Sequence, residues 1–284
     1  MKIIVTGSSG FIGSEIANLY ALRGYEVIGL DTTTSSYLNP SIKQYIINLE
    51  KEPIPSSILK DVDIINHLAA QVDVRRSIEN PLADLTMNVG STLRLLEQAK
   101  KAHVKKFIFS SSGGAIADSE QPQSPYGISK LTAEKYIKFY YEQYGLEYSI
   151  LRYSNVYGPL QRAGVIPIFV SKLLRNLPIE INGGNQQRDF IFIDDIAEIN
   201  TLAINLPSDT YTICSGSNIS ILDLAHLLKQ LTNSSSEIIY KDQIKGEVMI
   251  SELTQSDFLK TLTITSLEQG LKKVVESLSA TLLF

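Results

Sequence analysis

The amino-terminal segment places three glycines between a strand-like run and a helix-like pattern. The run KIIVT (residues 2–6) is apolar and rich in β-branched residues, and GSSGFIG (residues 7–13) follows it directly. We expect Gly7 to permit a tight turn, Gly10 to let the backbone approach a pyrophosphate, and Gly13 to let the helix pack close to the strand. The free N–H groups of the helix then face the anion. The spacing is GxxGxxG, and its position between strand and helix predicts a dinucleotide site rather than a plain glycine-rich turn.

An acidic residue stands where such a site needs one. Asp31 comes directly after the second strand-like run, 25–30, and lies 18 residues beyond Gly13. A carboxylate there accepts hydrogen bonds from the adenosine ribose and repels the 2′-phosphate of NADP. The three residues that follow are threonines, so no arginine is at hand to receive that phosphate. We therefore predict NAD as the cofactor, the alternative being a surface aspartate that caps a turn.

Strand-like and helix-like segments alternate through the first half of the chain. The sequence predicts buried strands over 2–6, 25–30, 62–67, 104–110 and 147–153. It predicts helices over 11–22, 81–101 and 125–144, the last between Ser124 and Gly145. Such alternation gives right-handed βαβ units and a parallel sheet with both faces covered. The predicted fold class is α/β, a Rossmann-type doubly wound parallel sheet with a smaller α/β C-terminal substrate domain.

The pattern loosens after about residue 157. Helices are predicted over 165–176, 194–206, 220–231 and 266–278, with short strands between them. This change predicts an NAD-binding domain over 1–157, to which a segment of about 189–214 returns. The substrate-binding domain then comprises 158–188 and 215–284.

The charge balance and the cysteine count exclude several classes of protein. The chain has 26 basic and 30 acidic residues, a net charge of -4, which argues against nucleic-acid and anionic-membrane partners. A single cysteine, Cys214, allows no internal disulfide, and the three histidines lack metal-ligand spacing, so no metal is expected. No signal-peptide pattern and no apolar run of membrane-spanning length is visible, so we expect a cytoplasmic protein.

A tyrosine and a lysine lie four residues apart in the helix predicted over 125–144. Tyr126 and Lys130 therefore share one helix face. A nearby ammonium stabilises a phenolate, so we expect the pKa of Tyr126 to be lowered and its oxygen to serve as a general base. The alternative is an ordinary surface pair. The run FSSSGG (residues 109–114) also puts hydroxyl groups at the carboxyl end of a parallel strand, where ligands bind in open α/β sheets.

Together these segments resemble the extended short-chain dehydrogenase/reductase family, in particular nucleotide-sugar epimerases of the UDP-glucose 4-epimerase type. The resemblance covers nearly the whole chain and follows the order of the family's motifs. The matching segments are TGSSGFIG (6–13), HLAAQ (67–71), NVGSTL (88–93), FSSS (109–112), SPYGISK (124–130), LRYSNVYGP (151–159) and RDFIFIDDIA (188–197).

The resemblance implies a role for each matched residue. Tyr126 is the base, Lys130 holds the nicotinamide ribose, and Ser112 hydrogen-bonds the sugar oxygen. The implied cofactor-binding residues are Gly7, Gly10, Phe11, Ile12, Gly13, Asp31, Asn48, Leu49, Leu68, Ala69, Ala70, Asn88, Ser110, Tyr126, Lys130 and Tyr153. The implied substrate-binding residues are Ser112, Asn155, Arg188, Lys245, Glu247 and Ser251.

The chain departs from the family pattern in three places. The usual Val-Tyr-Gly after the serines is replaced by IAD (116–118), and the stretch before Tyr126 is shorter. Asn48 replaces an aspartate near the adenine, and Lys245 stands where a second phosphate-binding arginine is usual. The resemblance further implies that dehydratases and decarboxylases carry an acidic residue after the catalytic hydroxyl, where this chain has Gly113 and Gly114.

The reaction that remains is oxidation and re-reduction at carbon 4 of a UDP-sugar, with bound NAD regenerated in each turnover. UDP-glucose and UDP-galactose are the expected substrates. The resemblance implies that Ser251 borders the carbon-2 substituent of the sugar, where a small side chain leaves room for the N-acetyl forms, the alternative being that Ser251 caps a local turn. The alternatives are a nucleotide-sugar ketoreductase or dehydrogenase, and a noncatalytic NAD-binding protein. By resemblance, helices 81–101 and 125–144 form the interface of a homodimer, to which Tyr136, Phe139, Tyr140 and Tyr144 can contribute. The alternative is that these side chains are buried within the monomer.

Overall fold

The computed structural model describes residues 1–113, 124–242 and 253–282, and they form two compact units. Unit one comprises Met1–Tyr153 and Ile196–Ile213, and unit two comprises Ser154–Asp195 and Cys214–Phe284. None of the helices in the described ranges is both long and apolar enough to cross a membrane.

The strands of the described residues are numbered along the chain. They are β1 (Lys2–Thr6), β2 (Glu26–Asp31), β3 (Lys43–Ile46), β4 (Ile64–His67), β5 (Lys106–Ser112), β6 (Glu147–Tyr153), β7 (Asn155–Tyr157), β8 (Ile179–Asn182), β9 (Gln187–Phe192), β10 (Asp209–Ile213), β11 (Asn218–Ser220) and β12 (Ile238–Lys241). The α-helices are Phe11–Leu22, Ser56–Leu59, Val74–Glu79, Pro81–Leu85, Ser91–Lys101, Pro125–Tyr144, Val165–Leu174, Ile193–Ala203, Ile221–Leu231 and Leu267–Leu282.

Unit one is built on a seven-stranded sheet in the order β10-β6-β5-β4-β1-β2-β3, and every neighbouring pair is parallel. Because helices cover both faces, β1, β4 and β5 are almost wholly buried. Apolar residues dominate β1, whereas β4 and β5 end in polar residues, Asn66–His67 and Ser110–Ser112. The strand order reverses between β1 and β4, so the carboxyl ends of these two strands form the switch point where ligands bind in such sheets. The predicted α/β, Rossmann-type fold class is confirmed.

The helix Pro125–Tyr144 has the bounds that the sequence predicted. The Ser124 side chain accepts a hydrogen bond from the Gly127 N–H, Pro125 fills the first helical position, and Gly145 ends the helix at φ 72°. Each of these residues has the conformation that its type favours at a helix terminus. The helix Phe11–Leu22 also has its predicted bounds.

Unit two contains two small sheets. One pairs β7 with β9 in parallel and β9 with β11 antiparallel, and the other pairs β8 with β12 in parallel. Buried side chains of the helices Val165–Leu174 and Ile221–Leu231, together with Leu271 and Val274, fill its interior. The strand β9 carries the matched segment that begins at Arg188.

Candidate active site

The glycine-rich turn connects β1 to the helix Phe11–Leu22. Gly7 has φ 70°, and a Cβ atom on it would lie 2.9 Å from the backbone nitrogen of Ala69. A Cβ atom on Gly13 would lie 2.1 Å from the carbonyl oxygen of Gly7, so helix and turn are in direct backbone contact there. Gly10 precedes the helix, and no side chain caps it. The first N–H groups of this helix have no side-chain cap, and uncapped N–H groups at a helix N-terminus are the groups that bind a pyrophosphate.

Asp31 joins this turn to the end of β2. Its Oδ2 accepts a hydrogen bond from the Ser9 N–H at 2.9 Å, and its Oδ1 accepts one from the Thr32 N–H at 2.7 Å. The carboxylate is therefore fixed beside the turn. Its Oδ1 also accepts the Thr32 hydroxyl at 3.3 Å, whereas its Oδ2 keeps a further lone pair for a ribose hydroxyl. The residues present fit an adenosine ribose next to a bound pyrophosphate.

The other proposed cofactor-binding residues of the first strands lie at the same edge of the sheet. Leu68, Ala69 and Ala70 follow β4, and the hydroxyl of Thr6 accepts the N–H groups of Leu68 and Ala69 at 3.2 and 3.1 Å. Asn48 follows β3, and its Oδ1 accepts the Glu50 N–H at 3.0 Å.

Asn88 lies within a break in the helical pattern predicted over 81–101. The helix Pro81–Leu85 continues through a single π-helical stretch, Thr86–Gly90, before the helix Ser91–Lys101 begins. The widened turn is stabilised in part by the Thr92 hydroxyl, which donates to the Asn88 carbonyl at 2.6 Å. Asn88 itself is buried, and its Oδ1 accepts the Gln71 N–H at 2.8 Å. Such π-bulges occur often at functional sites.

The proposed catalytic residues come together at the end of β5. A hydrogen bond joins the side chains of Ser112 and Tyr126. Lys130 is buried, its Nζ donates to the Ser110 carbonyl at 2.8 Å, and it lies 5.9 Å from the centre of the Tyr126 ring. One helix and one strand end therefore supply a hydroxyl, a phenol and an ammonium to a single place.

The prediction that the pKa of Tyr126 is lowered is wrong for the protein without bound NAD. Burial raises the pKa of Tyr126 to about 12, the hydrogen bond with Ser112 opposes that rise, and the charge of Asp84 adds to it. Burial also lowers the pKa of Lys130 to about 8, against the charges of Glu134 and Asp84. The physical reason is that desolvation disfavours both charged forms more than their proximity favours them.

A buried ion pair lies one helical turn beyond Lys130. Glu134 and Arg152 form a bidentate pair with N–O distances of 2.7 to 3.2 Å, and the Ser111 hydroxyl donates to the same carboxylate at 2.5 Å. Glu134 is almost completely buried. The pair ties the catalytic helix to β5 and to β6.

Two polar groups of unit one received no role in the sequence analysis, because His67 looks like an ordinary strand residue and Asn200 like an ordinary helix residue. His67 at the end of β4 bonds Thr6 at 2.7 Å and Thr92 at 3.0 Å, and burial lowers its pKa to about 3, so it stays neutral. Asn200 bonds the hydroxyl of the predicted cofactor residue Tyr153 at 2.8 Å, which also receives the Ser110 hydroxyl at 3.2 Å.

The proposed substrate-binding residues Asn155 and Arg188 belong to unit two. The Asn155 amide donates to the backbone carbonyl of Asp189 at 2.8 Å, which links β7 to β9. The buried Asp189 carboxylate accepts three backbone N–H groups of residues 215–217 at 2.9 to 3.2 Å. The predictions for Lys245, Glu247, Ser251 and the segment 116–118 lie outside the described residues.

Three solved structures are similar to this chain over almost their whole length. The UDP-glucose 4-epimerase of Thermotoga maritima, solved with UDP-glucose, is 36% identical with a TM-score of 0.92, and the match covers 99% of this chain and 100% of that one. The UDP-N-acetylglucosamine 4-epimerase of Methanobrevibacter ruminantium is 30% identical with a TM-score of 0.92, covering 99% and 98%. The UDP-glucose 4-epimerase of Thermus thermophilus, solved with NAD, is 27% identical with a TM-score of 0.89, covering 98% and 99%.

A family model matches residues 3–214, three quarters of the chain. That range contains the glycine-rich turn, Asp31 and the cluster formed by Ser112, Tyr126 and Lys130. With the fold, the cradle for a pyrophosphate and these similarities in agreement, the chain belongs to the NAD-dependent epimerase/dehydratase family, and its cofactor is NAD.

Proposed function

We propose that this protein is a 4-epimerase of a UDP-sugar, acting on UDP-glucose and UDP-galactose and with room for their N-acetyl forms. The observation that carries the proposal is the cluster of Ser112, Tyr126 and Lys130 at the end of β5, with Gly113 directly after the serine. The cluster provides a group that can take a proton from a sugar hydroxyl. The glycine provides no carboxyl that could move a proton at carbon 5 or 6.

The chain's own residues hold and move one proton. The phenolic oxygen of Tyr126 takes the proton of the sugar 4-hydroxyl. After the sugar ring has turned over in the site, Tyr126 returns this proton to the oxygen on carbon 4 of the sugar. Ser112 donates to the sugar oxygen, and Lys130 favours the phenolate and binds the nicotinamide ribose. NAD, when bound, would supply hydride transfer from carbon 4 of the sugar and back to it, and the charge of its oxidised nicotinamide ring would favour the phenolate of a tyrosine that burial otherwise keeps protonated. Asn155 and Arg188 bind the diphosphate, for which the arginine fork is suited.

Three other functions remain as competitors. A 4,6-dehydratase needs an acid after the catalytic hydroxyl, and Gly113 and Gly114 oppose it. A ketoreductase or dehydrogenase consumes or produces NADH in an amount equal to the sugar converted. A noncatalytic NAD-binding protein has no use for a buried Tyr126–Lys130 pair, and the presence of both residues opposes it.

Incubation with UDP-sugars tests this proposal. We expect UDP-glucose and UDP-galactose to interconvert, and UDP-N-acetylglucosamine to give its 4-epimer, without net change in NADH. In Ser251→Tyr the bulky ring should lower kcat/KM for the acetylated sugar and leave that for UDP-glucose nearly unchanged. Chromatography that resolves the 4-epimers, with absorbance at the NADH band, measures both. Stoichiometric NADH or a dehydrated product would contradict the epimerase assignment.

NAD should bind more tightly than NADP by a factor of about ten or more, about 1.4 kcal/mol. The reason is the fixed carboxylate of Asp31, which repels a 2′-phosphate. Calorimetric titration of wild type, Asp31→Ala and the exposed control Thr34→Ala measures the preference. We expect Asp31→Ala to reduce the difference and Thr34→Ala to keep it. Equal dissociation constants in wild type would refute the role of Asp31.

A homodimer stays a prediction for this chain. Tyr136, Phe139 and Tyr144 on the helix Pro125–Tyr144 are 40%, 47% and 52% exposed, whereas Tyr140 is buried. With Tyr141, which is 43% exposed, the helix has four exposed aromatic side chains, an unusual surface for a monomer. We propose that this face binds a second copy of the chain, and the molar mass in solution decides it.

A further inference from the structure

The short helix Pro81–Leu85 buries a carboxylate and exposes leucines. Asp84 is 1% exposed, whereas Leu82 and Leu85 on the same helix are 71% and 46% exposed. Burying a carboxylate costs free energy, and exposing apolar side chains gains none. Stability alone therefore does not account for an acidic residue at this position.

The hydrogen bonds of Asp84 involve only one of its two oxygens. Its Oδ1 accepts from the Gln71 Nε2 at 2.9 Å and from the Asn88 Nδ2 at 3.0 Å. Its Oδ2 is buried and has no hydrogen-bond partner among the described residues. No cation lies within ion-pair distance of it in that part of the chain. A buried carboxylate that is only half satisfied keeps a strong field in its surroundings.

A chain of polar contacts leads from Asp84 to the backbone of Tyr126. The Asn88 Nδ2 lies 3.1 Å from the Ser129 Oγ, and the Ser129 hydroxyl donates to the Tyr126 carbonyl at 2.9 Å. The N–H group of Tyr126 donates to the buried Ser77 hydroxyl at 3.2 Å. Both backbone polar groups of the proposed base are therefore held by side chains, one of them through Asp84.

Asp84 also supplies a negative charge that stabilises the ammonium form of Lys130. Two carboxylates, Glu134 and Asp84, favour the charged form of Lys130 against its burial. Glu134 is already paired with Arg152 in a bidentate contact, so the two charges largely cancel. The other titratable groups that face Lys130 are the Tyr126 phenol and His67, which its burial keeps neutral.

We propose that Asp84 is a positioning residue of the reaction: its buried carboxylate holds the Asn88–Ser129 chain behind Tyr126 and keeps Lys130 an ammonium. This inference rests on the proposed function, in which Tyr126 is the base. The charge of Asp84 raises the pKa of Tyr126 and of Lys130 alike. The charge of Asp84 therefore sets the pH range in which Tyr126 is a phenolate while Lys130 is an ammonium.

The pH profile of kcat/KM for UDP-glucose tests the proposal in Asp84→Asn, which keeps the size and the acceptor oxygen and removes the charge. Without that charge both pKa values fall, so we expect the acidic and the basic limb to move to lower pH by about half a unit or more. Asp84→Ser, which removes the same charge with a smaller side chain, should move them by a similar amount. Asp73→Asn is the control, because this exposed aspartate caps the helix Val74–Glu79 through its oxygen and asparagine caps equally well. Its profile should match wild type.

A lower rate with both limbs in their wild-type places would show that Asp84 acts only on structure, and would overturn the proposal. Failure of both neutral variants to fold, judged by circular dichroism and thermal melting, would overturn it too. Tyr126→Phe is assayed alongside. If that variant keeps wild-type turnover, the proposed function itself fails, whereas an inactive Tyr126→Phe together with unshifted Asp84 variants rejects only the role of Asp84.

Discussion

Tyr126→Phe is expected to abolish epimerisation while NAD remains bound. The phenyl ring keeps the packing of the tyrosine, but the oxygen that meets Ser112 at the end of β5 is gone. Loss of a general base typically lowers the rate by about 10² to 10⁴. The glycine-rich turn and Asp31 are untouched, so the affinity for NAD should stay close to wild type. Turnover of UDP-glucose at pH 7 and calorimetric titration with NAD measure the two effects separately.

The matched control is Tyr136→Phe, which removes a hydroxyl from an exposed tyrosine of the same helix. It should turn over at the wild-type rate. Lys130→Met should lower turnover as well, because the phenolate loses its buried ammonium neighbour. A near-normal turnover rate in Tyr126→Phe would contradict the proposed mechanism, whatever the turnover rate of Lys130→Met.

Gly13→Ala should destabilise the protein by about 3 kcal/mol or more and weaken its binding of NAD. The new Cβ atom would lie 2.1 Å from the Gly7 carbonyl oxygen and 3.2 Å from the Ser8 Cα. Both neighbours are backbone atoms, so the turn and the helix Phe11–Leu22 must separate. That movement displaces the N–H groups that face the pyrophosphate. Chemical unfolding without NAD and a titration with NAD measure the two losses.

Gly90→Ala is the corresponding control. Gly90 also lies in a helical stretch of unit one, and a Cβ atom there would have no heavy atom within 4 Å. Alanine loses less backbone entropy than glycine on folding, so this variant should be as stable as wild type or more stable. A Gly13→Ala protein as stable as Gly90→Ala would mean that the close contact of turn and helix is not required.

The sequence predicted the structure best where residues that favour a turn or a helix end lie at the boundary of a strand or a helix. The helix Pro125–Tyr144 could be predicted to the residue because Ser124, Pro125 and Gly145 are each specific for one helix position. The turn after β1 was equally clear, since glycine spacing and the change from strand to helix fall together. These signals depend on neighbouring residues alone, which is why tertiary contacts did not override them.

Other features could not be seen because they depend on distant partners. The π-helical stretch Thr86–Gly90 keeps the residue pattern of an ordinary helix, so periodicity predicted one helix over 81–101. The strand β3 has four exposed residues and forms the sheet edge, so it lacks a buried apolar run. Asp84 looks like a solvent-exposed helix residue until Gln71 and Asn88 are placed around it. The pKa of Tyr126 was misjudged for the same reason, because burial is a property of the whole fold.

Unit one contains a second, later segment of the chain, Ile196–Ile213, and this limits how far the unit can fold during translation. Among the described strands β10 pairs with β6 alone, and Asn200 bonds Asn66 and the Tyr20 hydroxyl across 134 and 180 positions of the sequence. A ribosome that has released 195 residues has therefore delivered the six strands β1–β6 of the seven-stranded sheet, with β6 as an open edge and with polar groups still unpaired inside. Unit one can close only after the intervening segment of unit two has also emerged. The sheet of unit one is thus completed only about 60 residues after the synthesis of β6. While those residues are being made, the nascent chain can aggregate or bind chaperones.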